Sequence, residues 1–158
     1  MSAVTVPVHA ARDAAILLPV GDELFAFDVS SVREVVMAPK VTRVPTLPPG
    51  VLGVFNLRGA VLPVLDAAAL VAPSTPAGQP RSGGAGFAVV ARCWAYDVAL
   101  VVSAMPTMAR LTGPVQPSES PGAAGMYRRG DRLVTMLDLA ELLTAAGLGL
   151  DQRGAEVG

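Results

Sequence analysis

The sequence predicts a mainly β protein made of small barrels in two similar halves. Three observations carry this. Short apolar runs end at turn signals such as Gly21-Asp22, Asn56-Leu57-Arg58-Gly59 and Gly130-Asp131. Only one segment, Leu139 to Ala146, has helix signals at both ends. And the chain repeats faintly. A shift of 72 residues places Gly53 on Gly125, Phe55 on Tyr127, Val61 on Leu133, Leu65 on Leu137, Asp66 on Asp138 and Leu70 on Leu142. A shift of 73 places Val32 and Val35 on Met105 and Met108. One residue of drift is what a loop insertion gives, and about five short strands per half favour small barrels over an open sheet.

The elements follow in order. Residues 1–13 read as a flexible, polar N-terminal arm. Ala14 to Pro19 and Leu24 to Val29 read as strands around Gly21-Asp22. Ser30 or Ser31 is placed to cap a helical turn through Val32-Arg33-Glu34-Val35. Pro39, Pro45, Pro48 and Pro49 then force an extended path, because proline lacks a donor and restricts the residue before it. Gly53 to Leu65 reads as a hairpin turning at Asn56-Leu57-Arg58-Gly59, and Asp66 as the cap of Ala67 to Val71. Residues 72–86, rich in Pro, Gly and Ser, cannot bury enough area to order themselves and read as a mobile loop. Phe87 to Arg92 and Tyr96 to Val102 read as strands with a tight turn near Cys93-Trp94. Thr112 to Gly125 reads as a second loop. Met126 to Arg129 and Arg132 to Leu137 form a hairpin, after which Asp138 caps the closing helix and Gly147 stops it.

Bulk composition narrows the function classes. Of 158 residues, 52% are hydrophobic and only 16% charged, against about 25% charged in an average soluble domain. Either the core is large or part of the apolar surface is covered by partners. The net charge is −1 and the 12 Lys and Arg are scattered, so nothing basic enough for nucleic acid is present. No apolar run approaches the roughly 20 residues of a membrane span, and Met-Ser-Ala-Val-Thr-Val-Pro does not open a signal peptide. A single cysteine, Cys93, allows no internal disulfide and fits a reducing, cytoplasmic home.

Chemistry is sparse. The one histidine, His9, lies in the arm. Cys93 has neither a second cysteine nor a nearby histidine, so neither metal-ligand spacing nor a thiol–imidazole pair exists. Gly83-Gly84-Ala85-Gly86 precedes a strand, the wrong order for a phosphate loop. Asp66 and Asp138 each sit between strand and helical turn, where capping is the plain reading. No set of base, nucleophile and orienter is visible. Arg58 stands alone in an apolar hairpin and carries two readings. It is a binding anchor, because a planar fork of donors beside apolar area suits recognition, or it is a solvated turn residue with Gly59 supplying a positive backbone angle.

The flanking residues bear on that choice. Val32-Arg33-Glu34-Val35 is followed by Val41-Thr42-Arg43-Val44, Pro45 and Pro48. Then comes Gly53-Val54-Phe55-Asn56-Leu57-Arg58-Gly59-Ala60-Val61-Leu62-Pro63-Val64-Leu65-Asp66. From Leu17 to Asp66 the chain resembles the CheW domain family, the coupling proteins of bacterial chemotaxis arrays, and a weaker match continues through Val98 to Met108 and Leu133 to Leu143.

The resemblance implies two small five-stranded SH3-like barrels, intertwined over residues 14–144, with a short C-terminal helix and a tail at 145–158. It implies a non-enzymatic scaffold without cofactor or metal. This scaffold bridges the cytoplasmic tip of methyl-accepting chemoreceptors to the histidine kinase CheA, at the inner face of the membrane. By position, Val32, Glu34, Gly53 and Arg58 would lie at the receptor-binding groove, and Val41, Arg43, Val44 and Pro45 near a kinase-contacting face. Two rival readings stand beside it. One is a CheW-like adaptor of another pathway, such as type IV pilus surface motility. The other is a small-molecule-binding barrel or minor enzyme, supported only by the high apolar content.

Overall fold

The computed structural model describes residues 14–148 except 21, 38, 49, 72–85, 103 and 121. The segments read as an N-terminal arm, as a mobile loop (apart from Gly86) and as most of the C-terminal tail lie outside the described residues.

The first half of the chain supplies β1 (Ala14–Val20), β2 (Glu23–Asp28), β3 (Val32–Met37), β4 (Val41–Thr42), β5 (Val51–Leu57), β6 (Ala60–Asp66) and α1 (Ala67–Val71). The second half repeats the series. It has β7 (Phe87–Cys93), β8 (Tyr96–Val102), β9 (Thr107–Arg110), β10 (Thr112–Gln116), β11 (Ala123–Arg129), β12 (Arg132–Leu137) and α2 (Leu139–Ala145). The halves exchange strands. One sheet runs β10-β11-β12-β2-β1-β9 and the other β3-β7-β8-β6-β5-β4. Each therefore takes its outer four strands from one half and a central hairpin from the other. The exchanged hairpins join through parallel pairs, β2 with β12 and β8 with β6.

Each sheet counts six hydrogen-bonded strands where five were expected. In the first sheet β9 and β10 are separated only by Leu111, so they are two arms of one bent chain and five passes of chain build the sheet. Leu111 is buried at the bend, packed with Leu17, Tyr127 and Val134 inside that sheet's curl.

Burial explains the sequence pattern. Ile16, Leu18, Phe25 and Phe27 join Val89, Ala91, Val98 and Leu100 in a core shared by both sheets, which α1 and α2 close with Leu70, Leu142 and Leu143. The alternate residues of the same strands point into separate interiors, Leu17 and Ala26 into one and Val90 and Val101 into the other. β1, β2, β7 and β8 are thus buried on both faces, which is why they read as continuous apolar runs.

The repeat is structural. Asp66 N donates to Gly50 O at 2.8 Å, and Asp138 N to Gly122 O at 2.8 Å. Both aspartates cap as expected, Asp66 Oδ1 accepting from Ala68 N at 3.1 Å and Asp138 Oδ1 from Glu141 N at 3.1 Å.

Two expectations need correction. The turn capped by Ser30 or Ser31 lies elsewhere. A 3-10 turn covers Val29–Ser31 with Asp28 Oδ1 accepting from Ser30 N at 2.9 Å, and Val32 to Val35 belong to β3. β-Branched residues and pairing with β7 outweigh a local helical pattern. The stretch from Thr112 to Gly125 is not all loop. It contains β10 and the start of β11. Every residue of β10 is exposed, so no apolar alternation marks it as a strand.

Candidate functional site

The hairpin of β5 and β6 turns in two residues, Arg58 and Gly59, with Leu57 paired to Ala60. Both turn residues have positive φ, 51° at Arg58 and 91° at Gly59, the signature of a type I′ turn, whose twist suits a tight hairpin. Asn56 Oδ1 accepts from Gly59 N at 2.9 Å and closes the tip.

Arg58 carries its guanidinium to Glu34 on β3, and the two form an ion pair. This links the hairpin tip to the opposite margin of the same sheet, since β3 and β5–β6 stand on either side of β7 and β8. The Arg58 side chain is 70% exposed and that of Glu34 34%. The hydrogen bond to Glu34, then its charge, push the Arg58 guanidinium further above its usual range, while slight desolvation works the other way. Arg58 is therefore a permanent cation. The pair lies in water, where solvent screens it and an exposed pair contributes little to stability, so geometry is its chief product.

Nearby charges are also paired. Arg92 Nε lies 2.7 Å from Asp97 Oδ1 and Arg33 Nε 3.7 Å from Asp97 Oδ2. A bulge between Val32 and Glu34 resets β3. Val32 packs on the shared core and Val36 on the interior of its own sheet, leaving Val35 and Met37 exposed, Met37 at 68%.

The residues singled out from the sequence thus fall into two groups. Glu34 and Arg58 meet, with Val32 two residues away on β3. Gly53 lies at the far end of β5, against the other set. A Cβ on Gly53 would stand 2.1 Å from Thr42 O and 3.1 Å from Arg43 Cα, so this glycine lets β4 approach β5. Val41 is half-buried against the sheet interior. Arg43, Val44 and Pro45 are exposed and, with Leu47, Val51 and Leu52, line a shallow groove of about 440 Å³. Asn56, Leu47 and Leu52 were not singled out from sequence. For Asn56 the signal was an Asn three residues before a turn glycine.

A second cavity, about 480 Å³, lies between the β7–β8 turn and the first sheet, lined by Asp28, Arg92, Cys93, Trp94, Tyr127 and Asp138 among others. Its charges are already committed, Asp28 to Ser30 N, Arg92 to Asp97 and Asp138 to Glu141 N. Burial, helped by the charge of Asp138, pushes the Cys93 thiol up, away from a nucleophilic thiolate. Among the described residues no group of three His, Cys, Asp or Glu could hold a metal ion. None of the described helices is long and apolar enough to cross a membrane.

The arrangement offers surfaces: a hydrogen-bonded cationic tip, an exposed apolar strand margin and a shallow groove of mostly apolar residues with one arginine. Comparison with known proteins shows the family. The chain is 30% identical over 135 residues to a probable chemotaxis protein CheW of Rhizobium etli, covering 79% of this chain and 83% of that one. It is 49% identical to the chemotaxis protein CheW of Rhizobium meliloti over 47 residues, 30% of each chain. The crystal structure of the scaffolding protein TtCheW from Thermoanaerobacter tengcongensis has the same fold, with a TM-score of 0.69 at 19% identity over 83% of this chain and 92% of that one. The CheW-like domain model matches residues 14–147, and with exchanged sheets, duplicated caps and relatives of that kind the chain belongs to the CheW-like domain family.

Proposed function

We propose that this protein is a non-enzymatic adaptor of bacterial chemotaxis, which holds the cytoplasmic tip of chemoreceptors and a CheA-type histidine kinase together at the inner face of the membrane. The observation that carries this reading is Arg58, a fully charged residue on a two-residue turn, tied to Glu34 beside the exposed apolar margin of β3. A receptor helix with apolar anchors and a carboxylate suits such a surface: the apolar contacts give affinity and the guanidinium fork gives orientation. The groove beside Arg43, Val44 and Pro45, with Val41 behind it, is the face assigned to the kinase. Its exposed apolar rim and single cation fit a modest protein–protein contact. Each contact is weak alone, and an array strengthens weak contacts by holding many at once.

The test is a pull-down of wild type and Arg58→Glu from native cytosol, read by mass spectrometry. Wild type is expected to recover a chemoreceptor and a CheA-type kinase. Arg58→Glu is expected to lose the receptor while its melting curve stays nearly unchanged. Recovery of neither partner by folded wild type would reject the coupling role.

A further inference from the structure

We infer that Asn56 is a positioning residue for the receptor contact and acts through Arg58, an inference that rests on the coupling role proposed above. The starting observation is the backbone of Arg58. A type I′ turn favours Asn or Gly at its first central position, because L side chains crowd the backbone at positive φ. Arg58 nevertheless occupies that position at φ 51°. The equivalent position at the β11–β12 tip is Gly130 at φ 60°, followed by Asp131 without a positive φ, so that tip is a different turn in which glycine takes the left-handed position. The arginine in that position belongs to the first half alone.

Packing does not explain the arginine. Trp94 also has positive φ, at 54°, but its side chain packs against the shared core, so burial offsets its backbone. The Arg58 side chain is 70% exposed and its one ion pair is to Glu34, in water. An unfavourable backbone with no packing reason points to function.

Something local must hold the tip in this conformation, and the group in place is the Asn56 carboxamide. Its Oδ1 accepts from Gly59 N at 2.9 Å. Asn56 is exposed, and its side chain makes no other hydrogen bond among the described residues. The Leu57–Ala60 pairing sets the length of the turn, and the carboxamide ties its second residue back to β5; without that acceptor the tip is held less firmly and the guanidinium is presented over β3 less of the time. Asn56 therefore fixes where the cationic fork is presented, and the partner meets it without first ordering it.

A double-mutant cycle on the full chain tests this. The probe is a purified cytoplasmic-tip fragment of the chemoreceptor that wild type recovers in the pull-down. Asn56→Ala is expected to weaken binding roughly fivefold to tenfold and to cause no further loss in an Arg58→Ala background. Asn56→Asp, which keeps the acceptor, is expected to bind within about twofold of wild type. Amide exchange at Gly59 should quicken about tenfold in Asn56→Ala and not in Asn56→Asp. Should Asn56→Ala not fold, Asn56→Val makes the same comparison with a residue suited to a strand and without an acceptor. Wild-type binding with Asn56→Ala unaffected, or an equal loss in both backgrounds, would overturn the positioning role alone. Failure of folded wild type to bind the fragment would overturn the coupling reading and this inference with it.

Discussion

The two halves of the molecule share one framework and differ at their hairpin tips. In both, a strand-end aspartate donates its amide to a glycine carbonyl at 2.8 Å and its carboxylate caps a short helix. In both, that helix lays a leucine, Leu70 or Leu142, against the same glycine, Gly50 or Gly122. The tips diverge. The first presents Asn56, Arg58 and an ion pair to Glu34, whereas the second has Gly130 at the turn and Arg132 Nη2 donating to Asp22 O at 3.0 Å. The repeated parts are those the core requires. The unrepeated parts lie at the surface, where packing places no demand, and that is where a partner-specific site can arise.

The largest expected effects come from close approaches that are not equal in the two halves. A Cβ at Gly53 meets backbone, Thr42 O at 2.1 Å, while its counterpart Gly125 makes only ordinary contacts, Pro114 Cβ at 3.4 Å and Gln116 O at 3.7 Å. Gly53→Ala should cost about 2–4 kcal/mol and Gly125→Ala less than half of that, since both have positive φ but only one clashes with backbone. The opposite order holds at the helix contacts. A Cβ at Gly122 falls 2.5 Å from Leu142 Cα, whereas at Gly50 it meets the movable end of Leu70 at 3.1 Å. Gly122→Ala should therefore lose about 2–4 kcal/mol and Gly50→Ala about 1–2 kcal/mol. Denaturant unfolding of the four variants checks both orders. Equal losses within either pair would mean that the tight contacts relax freely.

A smaller effect sharpens the contrast between tips. Exchanging the turn residues should move stability in opposite directions. Arg58→Gly removes an arginine from positive φ and should leave stability unchanged or raise it by up to about 1 kcal/mol, while receptor binding is lost. Gly130→Arg should cost about 1 kcal/mol. A large loss of stability in Arg58→Gly would make the ion pair to Glu34 a structural clamp.

The smallest expected effect concerns Cys93, buried in the shared core at 3% exposure. Its thiol is pushed above the ordinary value of 9.0, chiefly by burial. The folded state thus disfavours the thiolate, while the unfolded chain ionises normally. The stabilisation is complete below about pH 9 and is lost as pH rises through the raised value. Melting midpoints measured from pH 8 upward should fall with a slope that Cys93→Ala reduces. An unchanged slope would assign the alkaline loss to other groups.

Much of this was legible in the residues. The two aspartate caps and the hairpins of β5–β6, β7–β8 and β11–β12 are local features, although the first turn reads as four residues, Asn56 to Gly59, and is two, Arg58 and Gly59, with Asn56 and Leu57 in β5. Their signals sit within a few residues of the structure they specify. β10 was not legible, since all of it is exposed and it carries no alternation. The 3-10 turn at Val29–Ser31 was misplaced by a few residues, because Asp28 competes with Ser30 and Ser31 for the same cap. Within the candidate site, Arg58 could be found as the lone charge in an apolar hairpin. Its pairing with Glu34, 24 residues away, could not.

Class, repeat period and helix caps follow from residue type alone, because alternation and capping are short-range demands. The exchange of hairpins between the halves does not. The parallel pairs of Thr135 with Phe25 and of Val64 with Ala99 join segments distant in the chain. A hairpin buried on both faces reads the same whichever sheet receives it. Tertiary packing likewise set Gly53 beside Thr42 and Arg43 and apart from Arg58. Strand register and the bulge between Val51 and Gly53 fix that neighbourhood, and both arise from pairing between strands, which a linear pattern does not encode.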